Sequence, residues 1–347
     1  MVGGVNLGGI AFIPSVGVGF PCLGVHFHDG FNFQYVALIP YDGTGIPDGD
    51  ASELSVESAN FQFTPMMDIV TRRIIWKHTG AIQIIGEDGS GQAVVRSGSP
   101  PAGQVFSPWW HPDGSKILYM AAIADQISSP DQIQTIEPDG SNQQTLYTAP
   151  SATAFLWPAS YNVDGTRIAF AQKINSSTRQ LKTMNADGSN LINAAVIGGI
   201  SDRADSPAWA WFASDPDRLI ANTGTAFSPV IKAMDYDGTN LVTLDSGTTR
   251  SLFRHFAVME GDTHYITRKA DQTFIQKVAL DGSGVSNFID TATPGAFPTA
   301  NVFADSAPCA NGRIYWDVGT DIWSALSDGT DLRNETPATP RNYGLTG

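Results

Sequence analysis

An Asp-Gly dipeptide followed by Ser or Thr recurs seven times along the chain: YDGTG at Asp42, EDGSG at Asp88, PDGSN at Asp139, ADGSN at Asp187, YDGTN at Asp237, LDGSG at Asp281 and SDGTD at Asp328. The intervals are 46, 51, 48, 50, 44 and 47 residues. A near-constant period in this range belongs to repeat architectures, in which one supersecondary unit is copied and stacked. Each copy has hairpin chemistry, because Asp caps its own backbone and Gly supplies positive φ. The sixth residue before each Asp is Val36, Ile82, Ile133, Leu181, Ile231, Ile275 or Ile322, and the third is Ile39, Ile85, Ile136, Met184, Met234, Val278 or Ala325. All are apolar. Their difference in parity puts them on opposite faces of a strand, so that strand must lie between two sheets.

A second β-rich segment precedes each of these: Arg72–Trp76, Lys116–Met120, Arg167–Ala171, Arg218–Ala221, His264–Thr267 and Arg313–Trp316. Turns lead into most of them, such as HPDG at 111–114 and NVDG at 162–165, and aromatic segments lie further upstream. Each repeat therefore reads as a four-stranded meander, and no amphipathic helix interrupts the series.

SPWWHPDGSKILYMA at 107–121, followed by IQTIEPDGSN at 133–142, resembles the PD40 (WD40-like) repeat of the TolB-like β-propeller, and 157–191 and 206–241 match nearly as well. The resemblance implies an all-β chain: a single propeller of four-stranded antiparallel blades over residues 1–336, with 337–347 as a C-terminal tail. Equal spacing favours seven blades, with six as the alternative. In that family similar repeats occur in periplasmic TolB, in the non-catalytic propellers of prolyl-oligopeptidase-like peptidases, and in oligogalacturonate-lyase-like enzymes.

Charge narrows the partners. Thirty-four acids against twenty bases give a net −14, which argues against nucleic acid or an anionic membrane surface. Glycines and prolines break the apolar N-terminal region before it reaches a membrane-spanning length. No Lys or Arg precedes Arg72, so no ordinary export signal is read there. Cys22 and Cys309 align just before the second strand of neighbouring repeats, ~10–16 Å apart on propeller geometry, beyond the ~7 Å reach of a disulfide. Free, partly buried thiols are expected.

His26 and His28, spaced to share one strand face and followed by Asp29, form the best metal-like pair, but no third ligand can be named. Asp235 and Asp237, with Asn240, resemble half of a calcium loop lacking its closing Glu. Asp48, Asp50 and Glu53, and Asp215 with Asp217, are weaker still, and His111 reads as a turn residue. No nucleophile elbow, zinc-protease, phosphate-loop or dinucleotide motif is found. No catalytic residue, cofactor or metal is therefore assigned. The tryptophans Trp109, Trp110, Trp157, Trp209, Trp211, Trp316 and Trp323 could form a sugar platform, but their recurrence in the repeat points to packing between blades.

These observations lead to a non-enzymatic interaction or structural module with a protein partner, in one specific form a phage virion component such as a minor tail or surface protein. The alternatives are a carbohydrate-active enzyme (polysaccharide lyase or glycoside hydrolase), which keeps a carbohydrate ligand in view, and a TolB-like periplasmic scaffold. Location follows from the same choice: a virion or an extracellular surface on the first reading.

Overall fold

The computed structural model describes residues 6–13, 22–28, 33–40, 52–58, 66–68, 73–78, 80–86, 91–97, 105–122, 131–151, 155–175, 178–198, 209–212, 215–223, 230–246, 257–258, 264–268, 275–289, 302–310, 313–318, 321–326 and 328–334. Among them there is no helix, and none therefore long and apolar enough to cross a membrane. The proposed tail at 337–347 lies outside the described residues.

Every four consecutive strands form one antiparallel sheet in simple chain order. The first is β1 (Asn6–Ile13), β2 (Cys22–His28), β3 (Phe33–Pro40) and β4 (Ser52–Ser58). The second is β5 (Met66–Asp68), β6 (Arg73–His78), β7 (Ala81–Gly86) and β8 (Ala93–Arg96). The third is β9 (Val105–Trp110), β10 (Ile117–Ala121), β11 (Gln132–Ile136) and β12 (Gln144–Thr148). The fourth is β13 (Leu156–Tyr161), β14 (Arg167–Lys173), β15 (Thr178–Asn185) and β16 (Ile192–Gly198). The fifth is β17 (Trp209–Trp211), β18 (Arg218–Asn222), β19 (Val230–Asp235) and β20 (Val242–Ser246). The sixth is β21 (Ala257–Val258), β22 (His264–Arg268), β23 (Ile275–Ala279) and β24 (Val285–Ile289). The seventh is β25 (Val302–Ala310), β26 (Arg313–Val318), β27 (Asp321–Leu326) and β28 (Arg333–Asn334). β1 lies against β25, so the first sheet neighbours the last.

The core lies between successive sheets, and strand alternation decides which interface each side chain joins. In β10, Ile117, Tyr119 and Ala121 pack with Ile75, Ile82 and Ile84 of the second sheet, while Leu118 and Met120 pack with Ile168 and Phe170 of the fourth. In the strand before each DG turn, Ile133 faces the fourth sheet and Ile136 the second; Leu181 faces the fifth and Met184 the third. Both are buried, as their parity requires. Each such side chain withdrawn from water contributes about 1.5–3 kcal/mol, so stacking on both sides is the main source of stability.

The DG turn is a type I turn closed by a glycine in the left-handed region. At Asp139, Gly140 N donates to Glu137 O at 2.9 Å, Glu137 N donates to Ser141 O at 2.9 Å, and Gly140 has φ 85°. Asp139 Oδ1 accepts the Ser141 amide at 2.8 Å. Similar bonds recur around Asp187, Asp237 and Asp328. The third residue after the Asp is also left-handed in Asn142, Asn190, Asn240 and Asp331, at φ between 50° and 52°. Across all seven repeats that position holds only Gly, Asn or Asp, the residues for which such φ is cheapest.

A bulge follows each of these turns in the second to sixth sheets. The pairing of the third and fourth strands slips at Ile82/Gln83, Ile133/Gln134, Leu181/Lys182, Ile231/Lys232 and Ile275/Gln276. The extra residue on the outer strand is Val95, Leu146, Ala194, Leu244 or Phe288, each seven residues after its own turn's Asp. A bulge re-aims the backbone of the residue it inserts. The carbonyls of Val95, Leu146 and Ala194 meet Gly140, Gly188 and Gly238 of the next sheet's turn. A methyl group on Gly140 would lie 2.8 Å from Val95 O, one on Gly188 2.9 Å from Leu146 O, and one on Gly238 nearer still to Ala194 O. Gly282 departs from this pattern and rests on Val242 and Thr243.

Candidate functional site

Because each outer strand starts at its own DG turn and receives the next sheet's turn near that start, the turns of the second to sixth sheets share one rim. The turns between first and second strands lie on the same rim. Ala186 N donates to Thr166 O at 2.9 Å, and Tyr236 N donates to Asp217 O at 2.7 Å, so the two turns of one sheet stand side by side.

Polar side chains tie neighbouring sheets together along this rim. His111 Nε2 lies 3.2 Å from Gly165 O of the next sheet, with its Nδ1 2.6 Å from Asp113. The ring packs edge-on against Tyr161, and the absence of a side chain at Gly165 makes room for it. Asn162 repeats the contact one sheet on, its Nδ2 donating to Pro216 O at 2.8 Å. Both contacts span 54 residues, which marks them as equivalent. Arg167 is engaged on two sides: its Nε donates to Asp217 Oδ1 at 2.6 Å and its guanidinium lies 3.4 Å from the Tyr236 ring centre. Thr183 Oγ1 donates to Tyr236 O at 2.7 Å across the same interface.

Asp235 and Asp237 do come together, as parts of a hairpin. Asp235 Oδ2 accepts Asn240 Nδ2 at 2.6 Å and its Oδ1 lies 3.5 Å from Arg218 Nε. Asp237 Oδ1 accepts the hydroxyl of Thr239 at 2.6 Å and its amide at 2.9 Å. Asp215 Oδ1 caps the amide of Asp217 at 3.1 Å. His26 and His28 lie on β2, each paired with residues of β1 and β3, but their side chains and all of Asp29 lie outside the described residues. The same holds for Asp48, Asp50, the Glu53 side chain, and the thiols of Cys22 and Cys309. Among the described residues no group of three His, Cys, Asp or Glu side chains converges. Trp110, Trp157 and Trp209 are buried between sheets, and Trp109 and Trp211 pack partly buried against the same layers. The side chains of Trp316 and Trp323 lie outside the described residues.

Sequence reasoning missed His111 as an intersheet tie. The available signal was its alignment with Asn162 before two DG turns, two polar residues able to reach a carbonyl.

The rim carries its charge down to low pH. The Thr239 hydroxyl and amide hold the Asp237 carboxyl below its ordinary value of 3.8, and Thr330 does the same for Asp328. At Asp164, burial pushes upward but the bonds from Thr166 outweigh it. Groups depressed in the folded state contribute stability that is fully present above the unfolded value and lost as pH falls through the folded one. The urea midpoint should therefore decline once pH drops below 3.8, and Asp237→Asn, which keeps an acceptor for the turn, should shallow that decline. A midpoint flat through this acid range would refute the coupling.

No family model matches the chain, and no curated protein matches it. Solved structures do. A prolyl endopeptidase superposes with TM-score 0.62 at 13% identity, over 94% of this chain and 50% of that one. An oligogalacturonate lyase in complex with manganese superposes at 0.60 with 9% identity, over 91% of this chain and 94% of that one. The oligogalacturonate lyase of Vibrio parahaemolyticus gives 0.59 at 9% identity, over 92% and 95%.

The chain folds as a β-propeller.

This is the fold that the TolB-like PD40 resemblance implies. The propeller spans half the length of the endopeptidase chain it matches.

Proposed function

We propose that this propeller is a non-enzymatic interaction or structural module whose partner is another protein, and in its finer form a surface component of a phage particle. The observation that carries the proposal is how the polar side chains of the rim are used. His111, Asn162, Arg167, Asp215, Asp217, Asp235 and Asp237 are each engaged in closing a hairpin or joining two sheets. Their partners are turn amides, the carbonyls of neighbouring sheets and one another, the contacts that scaffold residues make. The net −14 fits a protein partner better than nucleic acid. Mass spectrometry of purified particles should find the protein among the virion components. Recovery in a periplasmic fraction alone would overturn the finer form and favour a TolB-like scaffold.

A carbohydrate-active enzyme is the second reading, favoured by likeness to oligogalacturonate lyases over nearly the whole of both chains. His26 and His28 are the residues it would use. Incubating the purified protein with oligogalacturonate and manganese should yield no unsaturated product. Product formation that disappears in His26→Ala or His28→Ala would replace the first reading with the second.

A further inference from the structure

We propose that His111 is a proton-operated latch between the third and fourth sheets, closed when its imidazole carries both protons and opened when it gives one up. The geometry sets the requirement. His111 Nε2 lies 3.2 Å from the carbonyl oxygen of Gly165, and Nδ1 lies 2.6 Å from Asp113 Oδ1. A backbone carbonyl and an ionised carboxylate can only accept. A neutral imidazole has a single N–H, so either tautomer turns one lone pair towards an oxygen. Protonated at Nδ1, the ring keeps Asp113 and loses Gly165. Protonated at Nε2, it keeps Gly165 and sets a lone pair 2.6 Å from the carboxylate. The Asp113 amide, 3.4 Å from Nδ1, is too distant to replace that bond. The imidazolium alone donates in both directions.

The slot around the ring is shaped for it. Tyr161 packs edge-on with ring centres 4.8 Å apart, and a methyl group on Gly165 would overlap the imidazole. The ionisable groups facing the ring favour the second proton. Burial pushes the Asp113 carboxyl upward, but the bonds from Ser115 and His111 outweigh it and keep Asp113 ionised below its ordinary value. Asp164, beside Gly165 on the opposing turn, is also held ionised, by Thr166. Burial pushes the Tyr161 phenol well above its ordinary value, so Tyr161 stays neutral. Lys116, across the hairpin, accepts the His111 amide through its backbone carbonyl at 2.8 Å, and its side chain is exposed.

The next interface makes the same tie without a titrating group. Asn162 stands at the equivalent position and reaches Pro216 O at 2.8 Å with an amide that keeps its hydrogens at every pH considered. A tie that needs two protons contributes stability at low pH and loses it as pH rises and the second proton leaves. That sense is opposite to the acid loss expected of the rim carboxylates, so the two effects occupy different ranges.

Urea midpoints of the wild-type protein and His111→Asn, from about pH 5 to about pH 8, provide the test. His111→Asn installs the side chain that the neighbouring sheet uses, and the other histidines titrate in both proteins, so the difference isolates His111. The wild-type midpoint should fall relative to the variant as pH rises. Asp113→Asn, which keeps an oxygen for the Ser115 amide, should move that fall to lower pH. In nuclear magnetic resonance spectra of the wild-type protein, the Thr166 amide, whose nitrogen is bonded to the Gly165 carbonyl carbon, should shift in step with the His111 ring. Wild-type and His111→Asn midpoints that run parallel would overturn the proposal. So would a Thr166 amide that stays in place while the ring titrates. If His111→Asn fails to fold, the Thr166 readout, made on the wild-type protein, decides alone.

Discussion

Gly238→Ala should destabilise the protein by about 3 kcal/mol or more, whereas Gly91→Ala should cost only about 1 kcal/mol. Both glycines are left-handed, at φ 83° and 65°, so both substitutions impose backbone strain of the same kind. They differ in their surroundings. A methyl group on Gly91 meets nothing within 4 Å, while one on Gly238 would collide with the backbone of Ala194 in the preceding sheet. Backbone cannot rotate aside as the end of a side chain can, so the two sheets would have to separate. Chemical denaturation of both variants isolates the cost of that contact as the difference between them. Equal losses would mean that the close approach contributes nothing beyond conformational strain.

That contact shows where sequence reading succeeded and where it stopped. The hairpins were legible because their chemistry is local: Asp caps the amide two residues on, Gly takes positive φ, and both residues sit side by side in the chain. The two-faced burial of Ile133 with Ile136, and of Leu181 with Met184, was legible because parity along a strand is fixed by pleating. The left-handed residue three positions after Asp88, Asp139, Asp187, Asp237 and Asp328 was also written in the sequence, at a position that holds Gly, Asn or Asp in every repeat, but it reads as a signal only once its φ is known. The bulges at Val95, Leu146 and Ala194 could not be read. An inserted residue has no required side chain, and its consequence, a carbonyl aimed at the next sheet's glycine, belongs to a contact about one whole repeat away. His111 is a similar case. Its turn was predicted, but its hold on Gly165, 54 residues along, depends on how two sheets stack. The candidate pair His26 and His28 was legible only as a spacing, and a spacing does not supply a third ligand.

Trp209→Ala should cost about 3–5 kcal/mol, the range for removing a large aromatic side chain from a packed core. Trp209 is 1% exposed and lies between the fourth and fifth sheets with Trp157, Ala169, Ala171, Leu219, Ala221 and Met234. Its cross-strand partner is Ala221, and Trp157 stands opposite Ala171 in the same way. A large ring faces a small residue in each sheet, so truncating the ring leaves a void that alanines cannot fill, and Ala221→Val should instead overpack the layer by about 1–3 kcal/mol. The indole N–H of Trp209 makes no hydrogen bond among the described residues. Trp209→Phe therefore removes no polar contact and should be milder than Trp209→Ala. These variants also separate the two readings of the aromatic residues. A sugar platform must be exposed for a ring to stack on a saccharide face, so Trp209→Ala would then abolish saccharide binding while barely changing the urea midpoint. On the packing reading the midpoint falls, Trp209→Phe recovers part of the loss, and oligosaccharides leave the tryptophan fluorescence of the wild-type protein unchanged. A Trp209→Ala protein within about 1 kcal/mol of wild type would show that this layer does not hold the two sheets together.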